Sequence, residues 1–75
     1  MNAKRRTEIA NAISTIEQLV SDLETVRDEE QDAYDNLPES LQNSERGEAS
    51  SQAIDKLSDA LGEIESALSN LQDIE

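Results

Sequence analysis

The chain has no cysteine, no histidine, no phenylalanine and no tryptophan; one proline, two glycines and one tyrosine complete the short side of its composition. Each absence removes a class of explanation. Without cysteine there is no disulfide framework of the kind that holds small secreted folds together, and a reducing cytoplasm fits the composition best. Without histidine or cysteine the usual proton-transfer groups, nucleophiles and soft metal ligands are missing, so cofactors and catalysis are not expected. With almost no large aromatic side chains there is little from which to build an apolar pocket that would raise a carboxylate's pKa. Positive charge is also scarce. Eighteen Asp and Glu stand against six Lys and Arg, a net charge of −12 over 75 residues. Such a chain repels a phosphate backbone, which excludes direct nucleic-acid binding through phosphates.

Long apolar runs are absent too. The basic start Met1-Asn2-Ala3-Lys4-Arg5-Arg6 resembles the first part of a signal peptide, but Glu8, Asn11, Ser14 and Thr15 break up the residues after it, and no apolar stretch exceeds two residues. Neither a signal peptide nor a membrane span is expected. A helix lying on an anionic bilayer would carry Lys and Arg on its polar face, where this chain carries Asp and Glu.

The chain's strongest positive signal is periodicity. Large apolar residues fall at Ile9, Ile13, Ile16, Val20 and Leu23, and again at Ile54, Leu57, Leu61, Ile64, Leu68 and Leu71, in alternating steps of three and four. This is one stripe of a helix in each half. Taking these as heptad positions a and d, each half also has a flanking g row: Ala12, Leu19, Val26 and Ala33, then Ala53, Ala60, Ala67 and Ile74. About three positions in seven are therefore apolar, the pattern of a helical bundle. The spacing predicts helix 1 over about 3–36, a turn over 37–44 and helix 2 over about 45–74. Pro38 disfavours helical geometry at Leu37 and ends helix 1. Ser44 or Asn43 is placed to cap helix 2, with Glu45 and Glu48 suited to its positive end. Leu37 and Leu41 are expected to close the core.

The expected fold class is all-α: an antiparallel two-helix hairpin, coiled-coil-like, with Ile9 near Leu71 and Val20 near Leu61. Two helices side by side cover only part of two apolar faces. Dimerisation into a four-helix bundle is the simplest completion, and Ile13, Ile16, Val20, Leu23, Ile54, Leu57, Leu61, Ile64, Leu68 and Leu71 are the residues expected to form the oligomer interface as well as the core. Toward the turn the register becomes polar: Arg27 at a, Glu30 at d and Tyr34 at a, opposite Gly47 and Ser50. Arg27 and Glu30, three apart, either pair as a layer that fixes register or reach water where the helices splay. Tyr34 either lies over Gly47, Ser50 and Ser51 or stands out as an anchor for a partner.

Charge is segregated along this hairpin. Between residues 28 and 48 stand eight acids, Asp28, Glu29, Glu30, Asp32, Asp35, Glu39, Glu45 and Glu48, against Arg46 alone, a balance of −7. Lys4, Arg5 and Arg6 fall at the other end, beside Asp73 and Glu75. A calcium loop would need alternating oxygen ligands and a glycine, which Asp28-Glu29-Glu30-Gln31-Asp32 lacks. A di-metal bundle site would need Glu-x-x-His pairs, and no metal ligand set is expected. Two uses of the acids remain open: plain solubility, or recognition of a basic surface, with Glu17, Glu24, Asp28 and Asp35 on one flank and Asp55, Asp59 and Glu63 on the other spaced like a row of phosphates. In the second case Asp28, Glu29, Asp32, Tyr34, Asp35, Glu39, Glu45 and Glu48 are the partner-binding residues.

The stretch from Arg27 through Asp28-Glu29-Glu30-Gln31-Asp32-Ala33-Tyr34-Asp35-Asn36-Leu37-Pro38-Glu39-Ser40-Leu41 to Gln42, continued by Ser44-Glu45-Arg46-Gly47-Glu48, resembles a segment of small acidic helical proteins encoded by bacteriophages and other mobile elements of bacteria. The resemblance extends over both helices, its specific part is the tip, and it transfers no functional residue. It implies action in the cytoplasm of a bacterial host. By analogy of size, charge and origin it implies a non-enzymatic inhibitor that blocks a basic host protein, such as a nuclease, helicase or defence effector, as a DNA mimic. The alternative is a structural or adaptor coiled coil that recognises its partner through the Ile and Leu stripe.

Overall fold

The computed structural model describes residues 1–74. Helix α1 runs Ala3–Asp35, a single turn α2 runs Glu39–Gln42, and helix α3 runs Glu45–Gln72. No strand occurs among the described residues. The long helices, 33 and 28 residues, fold back on one another into a rod measuring 58 × 15 × 13 Å. Among the described residues no helix is long and apolar enough to cross a membrane.

The ends of each helix are set by local chemistry. The Asn2 side chain accepts a hydrogen bond from the Arg5 amide at 2.8 Å and caps α1, meeting one of the amide groups that a helix start leaves unpaired. Pro38 stops α1 from continuing, and its extended backbone opens α2 instead, with the Leu41 and Gln42 amides both donating to the Pro38 carbonyl. The expected open turn over 37–44 thus contains a helical turn. Ser44, rather than Asn43, caps α3: its hydroxyl oxygen accepts from the Gly47 amide at 3.4 Å and donates to the Leu41 carbonyl. The side-chain amide of Gln42 reaches back to donate to the Tyr34 and Leu37 carbonyls, each at 3.2 Å. Those are carbonyls at and just past the end of α1, so Gln42 ties the loop to the preceding helix.

The a and d stripes make the seam. Val20 and Leu61 are buried, while Ile9, Ile13, Ile16, Leu23, Ile54, Leu57, Ile64, Leu68 and Leu71 are half-buried. At the open end Arg6, Ile9, Ala10 and Ile13 of α1 and Leu71 and Gln72 of α3, with Ile74 after it, line one cleft of about 200 Å³, which fixes the antiparallel register with Ile9 near Leu71. One expectation about the ends needs correction. Leu37 is half-buried but Leu41 is 42% exposed, so it does not close the core. At the open end Arg6 stands beside the end of α3, as the antiparallel register requires; Glu75 lies outside the described residues.

The two glycines have opposite roles. A Cβ at Gly47 would fall 2.1 Å from the Gln42 carbonyl oxygen and 2.5 Å from that of Leu41, so only glycine lets α3 start beneath the returning loop. At Gly62 a Cβ would meet nothing within 4 Å. Gly62→Ala is therefore expected to raise stability by about 0.5–1 kcal/mol through the lower entropy cost of fixing alanine in a helix. Gly47→Ala is expected to lower it by about 1–3 kcal/mol, as overpacking does. Thermal melts followed by circular dichroism should move in opposite directions for the two variants. The same direction for both would remove the close approach at Gly47 as a feature of the fold.

Candidate functional site: the acidic tip

Helix geometry places the tip acids on two sides of the hairpin. Asp28, Glu29, Asp32 and Asp35 occupy the last two turns of α1 and are exposed; Glu39 opens α2, and Glu45 and Glu48 stand in the first turn of α3, all three exposed. The macrodipole treats the two helices differently. The positive N-terminus of α3 favours Glu45 and Glu48, whereas the negative C-terminus of α1 disfavours Asp32 and Asp35, where cations would be stabilising and none is present. Solubility asks only for net charge anywhere on the surface. A cluster that includes positions opposed by the helix itself is a more specific arrangement.

Little at the tip offsets these charges. Arg27 contacts its sequence neighbour Asp28, with Nη2 and Nε each 3.2 Å from Oδ1, and this is the one ion pair among the described residues. Arg46 therefore remains without an acid within ion-pair distance there. Gln31 donates to Asp35 at 2.9 Å, an ordinary pair one turn apart. Among the described residues no three carboxylates converge as a metal ligand set.

Glu30 has a partner that spacing along the chain does not reveal. Arg27 and Glu30 do not pair: Arg27 turns to Asp28, and Glu30 accepts a 2.6 Å hydrogen bond from the Ser50 hydroxyl across the seam. The length is that of a charge-assisted O–H bond to a carboxylate. The half-buried pair thus replaces apolar packing at the level where the stripe runs out, and it holds α1 to α3 beneath the tip. Tyr34 is half-buried and lines a groove of about 370 Å³ with Leu37, Glu30, Arg46 and Ser50. Its ring belongs to the wall of a shallow groove, between the two placements expected for it. Glu30 and Arg46 are the charged residues of its lining.

The chain matches no protein-family model, no curated protein and no solved structure.

Proposed function

We propose that this protein is a non-enzymatic binding protein of the bacterial cytoplasm, of phage type, whose acidic tip docks on the basic surface of a host nuclease, helicase or defence effector and blocks it in the manner of a DNA mimic. One observation carries the reading: −7 of the net −12 is concentrated in residues 28–48, with Asp32 and Asp35 kept at a helix end that disfavours them. Like charges held together at one pole destabilise the compact state and give a strong field for an oppositely charged partner, accelerating encounter and excluding acidic competitors. The carboxylates supply orientation at long range.

A second reading, an adaptor that recognises through apolar surface, has its own observation. Leu19 and Val26 are 52% and 50% exposed, in line with one another on α1. Capture from a bacterial lysate separates the two. Under the first reading the tagged protein retains a basic protein at low salt and releases it on a moderate salt gradient. Retention through high salt, together with loss on Leu19→Asp, would transfer recognition to the apolar surface. The assembly completing the core is, on either reading, a homodimer forming a four-helix bundle.

A further inference from the structure

The two sides of the hairpin differ in character. When two helices run antiparallel, equivalent flanks of the heptad come to the same side, so the g rows of α1 and α3 share one face and the e rows the other. The groove at the tip shows this directly: Ala33 of α1 and Arg46 and Ala53 of α3, all g positions, line it together. Between Arg5 at one end and Arg46 at the other that face is apolar, with Leu19 and Val26 exposed at 52% and 50% on α1 and Ala53, Ala60 and Ala67 on α3. The other face carries Glu17, Glu24, Ser51, Ser58, Glu65 and Gln72 at the equivalent positions. Among the described residues Val20 and Leu61 are the buried apolar side chains, so Leu19 and Val26 on the g side are left without cover.

We propose that the g face is the docking surface for a second copy of this chain, the two hairpins lying face to face with their loops at opposite ends. This rests on the homodimer named above and assigns it a face and an orientation. Size permits it: a rod 58 Å long and 15 Å wide presents a footprint that meets the roughly 800 Å² per partner of a stable interface. Charge selects the orientation. With loops at the same end, two poles of −7 would be superposed. With loops opposed, each acidic tip lies over the open end of the other copy, where Lys4, Arg5 and Arg6 stand. Arg5 is itself on the g row, seven residues before Ala12, and this orientation brings it to the tip of the second copy. Lys56 and Glu63 flank the middle of α3 on the row bordering the g face, so antiparallel contact between the two α3 helices brings each Lys56 beside the second copy's Glu63, twice by symmetry. Asp28, Asp35 and Glu48 lie on rows directed away from the g face, so the dimer leaves them free at both ends for the tip's own partner.

Cross-linking tests this on a chain with no natural cysteine. Ala3→Cys and Ser40→Cys place single thiols at exposed positions of the open end and the tip. The 58 Å rod is too long for a short bismaleimide to join them within one chain. Light scattering on the parent should give twice the chain mass, and a mixture of the two variants should give the mixed Ala3→Cys to Ser40→Cys product. A dimer linked Ser40→Cys to Ser40→Cys, with no mixed product, would overturn the orientation while leaving the homodimer standing. A single-chain mass at all concentrations would overturn both. Leu19→Asp with Val26→Asp should halve the mass, while Glu17→Ala with Glu24→Ala on the other face should leave it unchanged. A doubled mass in the Asp variant would remove the g face from the interface; since cross-linking is done on otherwise parental chains, unfolding of that variant leaves the test intact.

Discussion

Leu61→Ala is expected to lower stability by about 2–5 kcal/mol, the cost of deleting a buried leucine together with the cavity it leaves. Leu61 is 2% exposed, the most enclosed apolar side chain among the described residues, and only Val20 accompanies it below the surface. Helical pairs of this size have about 3–5 kcal/mol of core stabilisation to lose. The expected result is therefore not a lowered melting point alone but loss of most helical circular dichroism at room temperature. Leu41→Ala provides the contrast. Leu41 is of the same residue type, is 42% exposed at the tip and should change stability by no more than about 0.5 kcal/mol. A Leu61→Ala chain that melts with the parent would show that the seam between α1 and α3 is not what holds the hairpin together.

The second large effect is expected at the tip, where stability and binding should move in opposite directions. Replacing Asp28, Asp32 and Asp35 with Asn, and Glu39 with Gln, takes the net charge from −12 to −8 and leaves Glu45 and Glu48, which favour the start of α3, in place. Removing Asp32 and Asp35 from the negative end of α1 should stabilise the fold by about 0.3–1 kcal/mol each at low salt. Close charge pairs across protein interfaces couple by about 1.5–7 kcal/mol, so losing even two should weaken the partner complex by at least about a hundredfold. A variant that melts higher and binds a hundredfold worse identifies acids kept for recognition at a cost to the fold. If it melts higher and binds as well as the parent, the acids serve solubility.

The helices themselves are legible in the sequence because their signal is periodic. Ile54 to Leu71 repeats without a break, and Pro38 marks where α1 must stop whatever surrounds it. The tip is less legible because its contacts are non-local. Gly47 reads as a gap in the stripe; its need to be glycine emerges only when the Leu41 and Gln42 carbonyls are seen above it. Gln42 reads as a loop residue, yet its amide binds carbonyls five and eight positions earlier. Three-residue spacing makes Glu30 and Arg27 the natural pair, but a hydroxyl twenty positions away competes better for Glu30. The surplus of carboxylates is visible in composition, and since Pro38 fixes the end of α1, so is the conflict of Asp32 and Asp35 with its macrodipole. The uncovered g rows are visible as two separate lines of apolar residues; antiparallel pairing merges them into one face.

Whether the acidic tip takes the place of nucleic acid is decided by competition on the captured partner, titrating this protein against duplex DNA or RNA bound to that partner over a range of salt concentrations. If the acidic tip occupies a basic nucleic-acid channel, protein and nucleic acid exclude one another, and the protein's affinity falls steeply as salt rises through the range where surface charges are screened. A ternary complex of partner, nucleic acid and this protein, with affinity indifferent to salt, would contradict recognition by the tip.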